Sequence, residues 1–142
     1  MNVKALTDRV STLAASIAAD PRWEGEKDDL GVAILGMLLY GYALALGRLV
    51  MLLDEEQIKE SVVLSLVATV GAARRWSEGL AADAARSAFD KHHHPGNYQL
   101  VGVGHSYHGV TDQAVIINNA FQNIAAFRKV LRVATSQEGP PK

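Results

Sequence analysis

All five histidines of the chain fall between His92 and His108, in a chain that has no cysteine. Neutral imidazole binds metals and moves protons near neutral pH. His105 and His108 stand three residues apart, a spacing that brings two rings together on a helical turn. Asp90 and Asp112 are close enough in sequence to complete a mixed nitrogen–oxygen site. Two features weigh against such a site. Gly104 and Gly109 bracket the pair, and His92–His94 cannot aim three successive side chains at one ion without an irregular backbone. The His-Glu-x-x-His and Glu-x-x-His elements of helical metal sites are missing as well. Histidines that pack or are solvated are the expectation, with no metal and no cofactor.

Other chemistries fare worse. Gly102-x-Gly104 followed by Gly109 before a predicted helix has the outline of a phosphate cradle. A dinucleotide fingerprint needs its third glycine where Tyr107 stands, and a P-loop needs lysine where Val110 stands. Ser106 lies between His105 and Tyr107 without the Gly-x-Ser-x-Gly turn of a serine nucleophile. Acidic pairs at Asp28–Asp29 and Asp54–Glu56 sit at predicted helix starts, where capping and the helix dipole account for them. Arg48 is the only charge between Leu30 and Leu53. It either reaches water along its aliphatic stem, pairs with a buried carboxylate or holds an anion. Trp23 and Trp76 read as core or hinge residues.

Aromatic and amphipathic side chains dominate the hot spots of protein interfaces. Tyr98, His105, Tyr107 and His108 are therefore the candidate partner-binding residues, and no catalytic residue is assigned.

These residues need a scaffold, and the apolar periodicity predicts helices. Val3, Leu6, Val10, Leu13 and Ile17 share one face of a first helix over residues 3–19, stopped by Pro21. A second helix, about 29–53, carries the seam Leu35, Leu39, Tyr42, Leu46, Leu49 and Leu53. Gly36, Ala43, Gly47 and Val50 line a second face without bulk, where a neighbouring helix or a second copy in a homodimer could approach. A third helix starts at Asp54 with a capping box to Gln57 and an i,i+4 pair Glu55–Lys59. Its pattern breaks near 77–79, resumes over 81–91 and ends at Pro95-Gly96. Residues 92–110 then read as one long Gly/His-rich loop, with a short extended segment at 98–103. Long loops inside small domains often carry function. A last helix begins near Thr111 as N-cap. Ala114, Ile117, Phe121, Ile124 and Leu131 face the core, and Asn118, Asn119, Gln122 and Asn123 make an amide face. The fold class is all-α: one helical bundle of four to six helices over 1–135, with a disordered tail at 136–142.

The bulk properties agree. The chain has 142 residues, 49% hydrophobic and 20% charged, with net charge −1. That is a globular composition without the basic excess of a nucleic-acid binder. The missing cysteines suit a cytoplasmic setting, and Asp8 and Arg9 interrupt the N-terminus before a signal-peptide core can form. The stretch from Leu30 to Leu53 would be about 36 Å long as a helix, enough to cross a bilayer. Both its flanks are acidic and Tyr40 and Tyr42 lie at its middle, so a core helix is the expectation and a membrane partner is not. Charge is uneven: residues 1–71 hold 6 basic and 10 acidic groups, and residues 72–142 hold 8 and 5. Either the halves complement each other, or Arg74, Arg75, Arg128, Lys129 and Arg132 form a basic partner surface. No stretch matches a family motif. The general look is similar to bacterial immunity and antitoxin-type proteins and to small secretion adaptors. That likeness implies a non-enzymatic protein that neutralises or escorts a partner such as a toxin or effector. The alternative is a small helical ligand- or metal-binding protein, or an enzyme, using the histidine-rich segment.

Overall fold

A computed structural model describes residues 3–138 of the chain, with side-chain surroundings through Leu131. Among the described residues there are six α-helices and no strand. They are α1 Val3–Ala19, α2 Asp29–Ala45, α3 Glu55–Val70, α4 Arg74–Phe89, α5 Pro95–Ser106 and α6 Gln113–Glu138. Short 3-10 turns follow α1 and α5, and a π-turn, Leu46–Val50, follows α2.

Helix α2 is the hub, touched by every other helix, most extensively by α5; α1 lies mainly on α3, and α4 joins α3 to α5. Every residue from Ile34 to Gly47 is buried. By length and composition Asp29–Val50 is apolar enough to cross a membrane, and 89% of its apolar window lies inside the fold. The glycines of α2 and of the π-turn that follows it are packed against within the chain. Leu80 of α4 fills the space beside Gly36, and Ile58 of α3 that beside Gly47. Gly41 lies against the Val101 carbonyl of α5, and Gly104 of α5 lies against the Leu38 carbonyl of α2. These two positions let the α2 and α5 backbones meet closely.

The helix starts follow capping chemistry. Asp28 accepts from Gly31 N–H, and Asp54 and Gln57 form a reciprocal capping box. Lys59 reaches Glu56 at 2.6 Å and Glu55 at 3.8 Å.

Several expectations need correction. Helix α2 does not run on to residue 53, because the π-turn intervenes after Ala45. The break between α3 and α4 lies at 71–73 instead of 77–79, since Gly71 takes the left-handed conformation (φ 70°) that ends helices. Residues 92–110 are mainly helix α5, with neither the long loop nor the extended segment. Pro95 acts as the first helical residue, where its missing N–H costs nothing, and His94 Nδ1 caps the turn by accepting from Asn97 N–H at 3.0 Å. Asp112, rather than Thr111, receives the first free N–H of α6, that of Ala114, and Ala114 itself is exposed. Helix α6 continues to Glu138, three residues into the expected tail, and 139–142 lie outside the described residues.

Candidate functional site

Helix α5 carries most of the candidate residues, and its pitch sorts them. Tyr98 is 42% exposed. His105, seven residues on, returns to the same side of the helix, with Gly102 between them exposed and open space where its Cβ would stand. His108 follows in the short turn Tyr107–Gly109. Its ring meets that of His105 edge-on, with centroids 5.6 Å apart. Its Nδ1 lies 2.9 Å from the His105 carbonyl oxygen, which fixes the turn. Partial burial, and second the neighbouring His108, hold the His105 pKa below its ordinary value of 6.5.

Tyr107 belongs to the core. It is 3% exposed, and its hydroxyl donates to Asn119 Oδ1 of α6 at 2.7 Å. Burial pushes its pKa up. Asn123 donates to the same Asn119 oxygen, so part of the amide face of α6 locks the end of α5 in place. The structure thus brings Tyr98, His105 and His108 along one edge and turns Tyr107 away from it. Two shallow clefts flank the turn. One, of 280 Å³, lies between Val103, Ser106, Val115 and Asn123. The other, of 400 Å³, lies between Arg9, Tyr42, His108 and Gln113.

His93 and His94 anchor the start of α5. His93 Nε2 meets Asp83 Oδ1 at 2.6 Å, and Asn97 donates to the other Asp83 oxygen at 3.1 Å, tying α4 to the start of α5. Asp90 accepts from His92 N–H. Asp90 and Asp112 therefore accept from backbone amides, Asp112 from Ala114 N–H. Among the described residues no three His, Asp or Glu side chains converge on a point where a metal ion would fit. Ser106 donates to the Val103 carbonyl at 2.6 Å. Arg48 is exposed. Of the two tryptophans, Trp23 is core and Trp76 is 39% exposed beside the α3–α4 hinge.

Two of the five residues of the expected basic surface are paired within the chain. Arg74 pairs with Glu60 and Glu78, and Arg128 pairs with Glu26 and Asp28. Arg75 and Lys129 are exposed, and the Arg132 side chain lies outside the described residues. Leu49, expected on the buried seam, and Val50, expected on a packing face, are instead strongly exposed together with Leu52. The only signal of this in the sequence is an apolar run continuing up to Asp54.

No protein-family model matches the chain, and no curated protein or solved structure is matched either.

Proposed function

We propose that this is a non-enzymatic, cytoplasmic protein-binding protein, a compact helical bundle that neutralises or escorts a partner protein in the manner of immunity or antitoxin-type proteins. The observation that carries this reading is the edge formed by Tyr98, Gly102, His105 and His108. Two rings and a tyrosine stand beside an open glycine notch, the amphipathic mixture that interface hot spots favour. Tyr107 supports this edge from beneath through Asn119. The His105–His108 pair also supports a second reading, a metal- or ligand-binding role, because two adjacent imidazoles are half of a metal site.

One experiment separates them. The untagged chain and its Tyr98→Ala/His105→Ala/His108→Ala variant are isolated from the producing cell after crosslinking, and bound protein and metal are measured together. A partner protein in stoichiometric amount, crosslinked near α5 and lost with the folded variant, is the expected outcome. A partner retained by the variant overturns the assignment of this edge. Stoichiometric metal that is lost with the variant, and no protein, replaces the first reading by the second.

A further inference from the structure

The chain leaves α2 with its apolar side chains pointing outward. Leu49, Val50 and Leu52 are 61%, 60% and 83% exposed. Two backbone features place them there. The π-turn Leu46–Val50 closes through Met51 N–H onto the Leu46 carbonyl at 2.9 Å. One residue more per turn rotates the following side chains by about 100°, which takes Leu49 off the buried seam of Leu39, Tyr42 and Leu46. Leu52 then adopts φ 56°, a left-handed conformation disfavoured for a side chain with a Cβ. Apolar side chains held outward in this way make a patch of the kind that marks contact sites on soluble proteins, roughly 300–600 Å².

The charges bordering the patch are ordered. Arg48 precedes it, is exposed, and makes no ion pair among the described residues. Glu55 and Glu56 follow it and share one cation, Lys59. Arg48, Glu55 and Glu56 all act electrostatically on the Tyr40 hydroxyl, so the three charges lie in one region around the patch.

The geometry points to a second copy of this chain as the occupant. Two 48–56 segments meet antiparallel about a two-fold axis, their leucines and valines covering one another. Arg48 of each copy faces Glu55 and Glu56 of the other. A two-fold contact is self-complementary by symmetry, so a segment basic at one end and acidic at the other pairs with itself only in this sense. Asp54, Glu55 and Glu56 outnumber Arg48 and Lys59, and this net negative charge disfavours an anionic membrane at the same surface. The patch is smaller than the roughly 800 Å² per partner of a stable complex, so the dimer is concentration-dependent. This inference is independent of the α5 edge and uses none of its residues.

Sedimentation of the full chain from about 10 μM to 1 mM tests it. A monomer–dimer equilibrium is expected, weakened by salt as the arginine–glutamate pairs are screened. Leu52→Asn keeps a residue that tolerates the left-handed backbone and removes the apolar side chain. It should weaken association at least tenfold with the melting temperature held. Arg48→Glu and Glu55→Lys/Glu56→Lys should each weaken self-association, and mixing the two variants should restore dimers. A monomer throughout the range, a dimer indifferent to Leu52→Asn, or a mixture that restores nothing overturns the proposal. So does binding of the monomer to phosphatidylcholine vesicles that is lost with Leu52→Asn, which would assign the patch to lipid.

Discussion

Tyr40 and Tyr107 are both buried, yet their hydroxyls are in opposite situations. The Tyr107 hydroxyl donates to Asn119, whereas that of Tyr40 is fully enclosed without a hydrogen-bond partner. Burial, with Glu55 adding to it, raises the Tyr40 pKa and keeps the phenol neutral. An enclosed hydroxyl without a partner costs about 1–3 kcal/mol of desolvation, while a satisfied one contributes about 1 kcal/mol. Tyr40→Phe should therefore stabilise the protein by about 1 kcal/mol, and Tyr107→Phe should destabilise it by about as much. Denaturant unfolding of the two variants checks both signs, and a loss of stability in Tyr40→Phe would show that its hydroxyl is satisfied. The chain around Tyr107 gives no local sign of its burial. Tyr98 and Tyr107 sit among similar glycines and histidines, and the residue that encloses Tyr107 arrives twelve positions later on another helix.

At the level of elements, legibility followed the strength of the local signal. Helix α1 was readable to its ends because five apolar residues keep its period and Pro21 stops it. The starts of α2 and α3 were readable because Asp28 and Asp54 cap them through short-range hydrogen bonds. Helix α5 was not, because its glycines and Pro95-Gly96 look like loop chemistry. The same proline suits a first helical turn as well as a stop. Gly104 is paid back by packing that only the folded chain contains. The glycines of α5 differ in what they tolerate, and this can be tested. A Cβ at Gly104 would collide with the Leu38 backbone, whereas a Cβ at Gly102 meets nothing. Gly102→Ala should stabilise by about 0.5–1 kcal/mol through helix propensity alone. Gly104→Ala should destabilise by about 2–3 kcal/mol by forcing α2 and α5 apart. Thermal melts of the pair read the contrast. Equal effects would mean that α5 does not pack on α2 at this register.

Across the whole molecule, the uneven charge of the two halves becomes a set of long-range clasps. Arg74 reaches Glu60 across the α3–α4 hinge. Two arginines fasten α6 to the connection between α1 and α2 in opposite directions. Arg22 donates to Asn118 at 3.0 Å and lies 4.4 Å over the Phe121 ring, while Arg128 reaches back to Asp28 and the Glu26 carbonyl. The charge arithmetic foretold complementarity between the halves, but not which cations would be used, since that depends on where α6 crosses. Arg128 is the stronger clasp. Its side chain is only 13% exposed, and both of its terminal nitrogens meet Asp28, at 2.8 and 2.7 Å. Charged bidentate pairs are about twice as strong as neutral hydrogen bonds, although Asp28 is exposed enough to hydrate once its partner is removed. Arg128→Met keeps the aliphatic packing and should cost about 1–2 kcal/mol. Arg128→Lys should recover only part of that, because an ammonium cannot reproduce the fork. Hydrogen exchange should show the loss first in α6 and at the start of α2, the two segments the clasp joins. If Arg128→Met melts like the parent protein, then the buried face of α6 (Ile116, Ala120, Phe121 and Ile124) and the Arg22 and Tyr107 contacts hold the helix in place without the Arg128 clasp.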